Sequence, residues 1–153
     1  MDSRYGIHTI ELFHRVSKKN FSKVFQHLKS VNSGSFYPDP TYHSEKGLTK
    51  YICTSYCNQG VVLYLYQQVR SKNKTKKNHA PFIHFRLNPH TLLHGEYSPK
   101  KVFHAEDEQL KSLDKEMTKL LHKIGLNCDF EQLTLSRIDC CLDYFPDSQD
   151  WVD

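Results

Sequence analysis

No apolar run in this 153-residue sequence approaches the length of a membrane span, so a transmembrane helix is not expected. Met1-Asp2-Ser3-Arg4 is not followed by an apolar h-region, so no signal peptide is expected and the reading is a cytoplasmic protein of its host cell. The five cysteines are an odd number, which argues against a secreted disulfide framework. Buried, reduced thiols are the expectation. Nucleophilic and metalloprotease chemistry lack their motifs: there is no Gly-x-Ser-x-Gly elbow, no P-loop and no His-Glu-x-x-His. There is also no internal repeat and no long linker, so residues 1–153 read as a single domain.

What is present suits a globular fold. Hydrophobic residues make up 38% of the chain, with nine Tyr and nine Phe. The net charge is +4 with ten His in reserve, and the pI of 8.7 is below that expected of a dedicated DNA-binding domain. Charge is uneven. Arg70, Lys72, Lys74, Lys76 and Lys77 fall within eight residues that hold no acid. Such a block meets phosphates or an acidic protein face, unless it is only a solvated hairpin loop.

Residues 5–13 alternate as a strand, and a helix is expected over 20–30, capped by Asn20 or Ser22. Residues 31–47 read as loop. Leu48–Ser55 and Gly60–Gln68 read as a hairpin, and Pro81–Leu87 as a further strand. Asn88-Pro89 and Ser98-Pro99 bracket an irregular segment. Glu106–Ile124 carries Leu110, Leu113, Met117, Leu120, Leu121 and Ile124 at helical spacing, opens on acids and ends at Gly125. The order β-α-β-β-β-α-β predicts an α+β fold, a mostly antiparallel sheet with two helices on one face.

The last stretch, 132–145, is a strand that carries Arg137, Asp139 and Asp143 inside an apolar run. Alternation puts Ser136, Ile138, Cys140 and Leu142 on one side, packed on the helices, and the charged residues on the other. By the same alternation His84 and Arg86 share that second face, and Tyr64 and Tyr66 can join them. A face of aromatics, Arg and His suits nucleic acid or a protein partner.

Arg137-Ile138-Asp139 followed by Asp143 resembles the motif of rolling-circle replication initiators of plasmids and phages. The upstream order fits as well: a hairpin, a strand ending in Phe85-Arg86-Leu87-Asn88-Pro89, a helix, then this strand. The resemblance is to the N-terminal half of such an initiator. The nicking tyrosine, which those proteins place well downstream, has no counterpart within these residues. There is no His-hydrophobic-His pair on a strand; His79 and His84 are five apart.

For metals, Asp139 and Asp143 lie about 13 Å apart on a regular strand, too far to share an ion without a bulge. Asp139 with His84 is sterically easier, against the plainer alternative of an Arg86–Asp139 or Arg137–Asp143 ion pair. Cys53 and Cys57 have the spacing of one half of a zinc site, with no tandem second half evident. The cofactor expectation is none, or one zinc ion.

The functional expectation is a non-enzymatic, phage- or plasmid-encoded binding protein. It would act on DNA or on a host nucleic-acid enzyme, most sharply as an anti-CRISPR-type inhibitor of a CRISPR nuclease. The alternative is the DNA-binding N-terminal part of a rolling-circle initiator. The residues expected to carry binding are Arg70, Lys72, Lys74, Lys76, Lys77, His84, Arg86, Arg137 and Asp139.

Overall fold

The computed structural model describes residues 2–30, 36–38, 48–53, 60–68, 80–95 and 101–145. Its elements are β1 (Asp2–Arg15), α1 (Lys18–Ser30), β2 (Phe36–Pro38), β3 (Leu48–Cys53), β4 (Val61–Gln68), β5 (Phe82–Leu87), α2 (Pro89–His94), α3 (Asp107–Lys123) and β6 (Thr134–Phe145). The strands form one six-stranded sheet in the order β2-β3-β4-β5-β1-β6, antiparallel at every pairing. This is the expected α+β architecture, with two elements more than the sequence suggested.

The helices cover one face. Phe21, Val24 and Leu28 of α1 and Leu113, Met117, Leu120 and Leu121 of α3 join a single buried cluster. The sheet contributes Ile10, Leu12, Val61, Leu63, Leu65, Ile83, Phe85 and Leu87 to it. These are every second residue of their strands, as a half-buried sheet requires. Burial of apolar area on this one face is the main source of stability.

Local signals set the helix ends. The start of α1 differs from expectation: it begins at Lys18, and Ser17 rather than Asn20 or Ser22 caps it, its Oγ accepting from the Asn20 amide at 3.1 Å. The segment after Asn88, expected to be irregular, instead contains α2. Asn88 Oδ1 accepts from the Thr91 amide at 3.0 Å, Pro89 takes the first turn, where its missing N–H costs nothing, and Gly95 closes the helix at φ 76°. α3 carries Asp107 and Glu108 in its first turn and His122 and Lys123 in its last, matched to the helix dipole. Gly125, at φ 93°, lets the Leu126 amide reach back to Leu121 O at 2.9 Å. No described helix is long and apolar enough to cross a membrane.

Two irregularities shape the β1–β6 pair. The register slips between Ile7 and Thr9 and again between Glu11 and Leu12, leaving His8 on β1 and Ser136 on β6 as extra residues. Beyond the reach of β5, the free side of β1 is taken by Phe103, which exchanges two backbone hydrogen bonds with Ile7 at 2.7 and 3.1 Å. A Cβ at Gly6 would overlap Val102, so this close approach depends on glycine there.

The expectation that the Ile138 side of β6 packs on the helices holds only in part. Ile138 stands opposite buried Ile10, and Leu135 opposite buried Leu12, so both are on the helix side. Yet Leu135 is 52% and Ile138 42% exposed, because β6 is the last strand and the helix layer stops short of it.

Candidate functional site

The sheet face away from the helices is organised in three cross-strand rows. The first is Val62, Arg86, Glu11 and Arg137 on β4, β5, β1 and β6. The second is Tyr64, His84, Phe13 and Thr134. The third is Tyr66, Phe82 and Arg15. Directly opposed residues on neighbouring strands have Cβ atoms about 5 Å apart, so each row is a chain of contacts.

Glu11 is the centre of the first row. Its side chain is only 17% exposed and is flanked by two arginines. Arg86 Nε lies 3.8 Å and Arg137 Nη1 4.0 Å from the same oxygen, Oε1. His84 Nε2 lies 3.6 Å from Oε2. These separations exceed hydrogen-bond length, so the attraction is chiefly coulombic. A short contact adjoins them: Arg137 Nε donates to Asp139 Oδ1 at 2.7 Å. That hydrogen bond first, then the Asp139 charge and the Glu11 charge behind it, raise the pKa of Arg137 above the ordinary arginine value.

The β6 bulge lies just beyond this row: without it Ser136, not Leu135, would stand opposite Leu12. With Ser136 extra, its Oγ donates to the Glu11 backbone oxygen at 3.0 Å, and Arg137 is aimed at the Glu11 carboxylate.

Aromatic rings occupy the β4–β5 side. Tyr66 and Phe82 stack at 4.6 Å between centroids, and Tyr64 tilts against His84 at 5.5 Å. Arg86 and Arg137 keep about half of their surface in solvent, 53% and 58%. A guanidinium has five N–H donors, so each retains donors for an outside anion.

His84, Arg86, Arg137 and Asp139 therefore meet on one face, as their alternation predicts, and Tyr64 and Tyr66 lie beside them. The pairing differs from expectation. β1 separates β5 from β6, so neither His84 nor Arg86 reaches Asp139; both turn to Glu11. Arg137 pairs with Asp139, while the side chain of Asp143 lies outside the described residues. Glu11 is the residue that sequence reasoning missed. Its signal was a lone acid in the alternating run Ile10-Glu11-Leu12-Phe13.

The cations Arg70, Lys72, Lys74, Lys76 and Lys77 lie outside the described residues, as does Cys57, and of Cys53 only the backbone in β3 is described. Among the described residues, no three His, Cys, Asp or Glu gather as a metal site. Cys128 and Cys140 are free thiols, and Cys141 Sγ donates to Gly6 O at 3.7 Å. Burial, and then the Asp129 charge, push the Cys128 thiol pKa up, so it stays protonated and unreactive.

No known family model matches this chain, and no curated protein sequence is significantly similar to it.

Proposed function

We propose that this chain is a non-enzymatic binding protein that takes single-stranded nucleic acid on the open face of β4, β5, β1 and β6. The observation that carries the reading is the placement of Tyr64, Tyr66, Phe82, His84, Arg86 and Arg137 on one face, the one that no described helix covers. Bases stack on aromatic rings without regard to sequence, and half-exposed guanidiniums meet the phosphates between them. The five cations of residues 70–77 join β4 to β5 in the chain, and those strands are tied at Tyr66 and Phe82.

The test is fluorescence anisotropy with labelled single-stranded oligonucleotides over a salt series. Tyr64→Ala should weaken binding by about 1–3 kcal/mol per lost stacked base. Changing Lys72, Lys74, Lys76 and Lys77 to Ser should flatten the salt dependence. Absence of binding at low salt would end this reading. A supercoiled plasmid incubated with Mg²⁺ or Mn²⁺ should stay supercoiled; relaxation lost in Asp139→Ala would show an enzyme instead.

A second reading has one observation in its favour. Glu11 and Asp139 set two carboxylates against the two guanidiniums, a balance that suits a protein face better than a polyanion. The partner would then be a host nucleic-acid enzyme, a CRISPR nuclease being the sharpest case. Retention of a partner from nuclease-treated host lysate, with no oligonucleotide binding, would favour it. The resemblance to the N-terminal half of a rolling-circle initiator supports the first reading.

A further inference from the structure

β6 ends the sheet, and among the described residues nothing pairs with its outer side. Edge strands ordinarily avoid self-association by being short, or by carrying charges that repel a second copy. This one is twelve residues long and exposes Leu135 and Ile138. Its charges do not repel a copy in every register. Arg137 and Asp139 flank Ile138 symmetrically, with opposite signs.

We propose that β6 pairs antiparallel with β6 of a second copy of this chain, about a two-fold axis through Ile138. In that register Ile138 meets Ile138, and Arg137 of each copy stands opposite Asp139 of the other. Directly opposed residues must lie on the same face, so the registers available move the axis one residue at a time along the strand. An axis at Arg137 sets arginine against arginine, and one at Asp139 sets aspartate against aspartate. Like charges directly opposed are destabilising, so both are disfavoured. The axis at Ile138 turns each Arg137–Asp139 hydrogen bond into part of a four-membered network of alternating charge. It also covers two half-exposed isoleucines and satisfies the outer backbone groups of the strand. An isologous contact of this kind closes on itself and gives a dimer rather than a fibre.

The test uses sedimentation equilibrium on the whole chain over a concentration series. The unaltered protein should show a monomer–dimer equilibrium. Arg137→Asp sets acid against acid, and Asp139→Arg sets base against base, so each alone should weaken the dimer about tenfold or more. Mixed in equal amounts, the two variants are complementary at both contacts and should associate again as a heterodimer. This rescue separates pairing from any loss of fold, since two misfolded chains would not restore each other. Ile138→Lys should also abolish the dimer. A protein that is monomeric at all concentrations overturns the proposal. So does a dimer unaffected by Asp139→Arg, or an intermolecular Cys140–Cys140 disulfide on mild oxidation, because each places the axis elsewhere.

Discussion

The two sides of β5 face different worlds. Ile83, Phe85 and Leu87 are 1% exposed or less, locked under α1 and α3. Phe82, His84 and Arg86, interleaved with them, carry rings and charge on the side that no described helix covers. Six consecutive residues thus serve the core and the candidate site in strict alternation. Because a strand separates its faces residue by residue, stability and binding should be alterable independently on the same element. Where the separation is incomplete, as at Glu11, the two should be coupled.

The largest expected effect tests the covered side. Phe85→Ala should cost about 3–5 kcal/mol by chemical denaturation, the penalty for a cavity in a packed core. A cost below about 1 kcal/mol would mean the helices close onto the gap, and the covered side would be softer than its packing implies.

A middle effect is expected at Glu11, where the comparison is under most tension. It lies on the side away from the helices, yet its side chain is mostly shielded, and two guanidiniums and the His84 ring surround it. Glu11→Gln leaves Arg86, Arg137 and His84 facing one another. Between the values for exposed and buried pairs, a loss of about 1–2 kcal/mol is expected. The same change frees the arginines for phosphate, so oligonucleotide binding should tighten a few-fold at low salt and less at high salt. Denaturation and anisotropy on one sample check both signs. Loss of stability together with loss of binding would show that Glu11 positions the face rather than competing with the ligand.

The smallest effect concerns the helix side. His90 and His94 on α2 lie with ring centroids 4.5 Å apart. Burial first, then the charges of His94 and Lys101, hold the His90 pKa below its usual 6.5. The unfolded chain therefore binds this proton more readily than the folded one. Stability should rise with pH up to about 6.5 and fall on acidification below it. In His90→Gln that part of the acid slope should disappear, a change of about a degree or two in Tm between pH 7 and pH 5. An unchanged slope would place the acid sensitivity elsewhere.

Much of this was legible in the sequence. The alternation in 82–87 and 61–66 sorted both faces correctly, because each strand is regular and half-buried. Arg137 and Asp139 were placed together by their spacing of two. Their partner Glu11 is not, because pairing across strands depends on register, which no local pattern announces. α2 escapes the sequence for another reason: Asn88-Pro89 reads as the opening of an irregular segment, although an N-cap followed by proline is also how a helix begins. The shortfall of cover over Ile138 could not be read either, since alternation gives a residue's side but not how far the opposite layer extends.

β1 pairs on one flank with β5 and on the other with β6, from Asp2 opposite Phe145 to Phe13 opposite Thr134. Its β5 neighbour is thus made midway along the described chain, and its β6 neighbour last. At roughly 5–20 residues per second of synthesis, β1 waits on the order of ten seconds for its second partner. Until then β1 can join β5 through Ile10 and Leu12, but its other flank stays unpaired, and an unpaired strand edge is prone to aggregate. Pairing β1 with β6, more than a hundred residues further along the chain, makes folding slow and leaves holding the nascent strand to the ribosome and its chaperones.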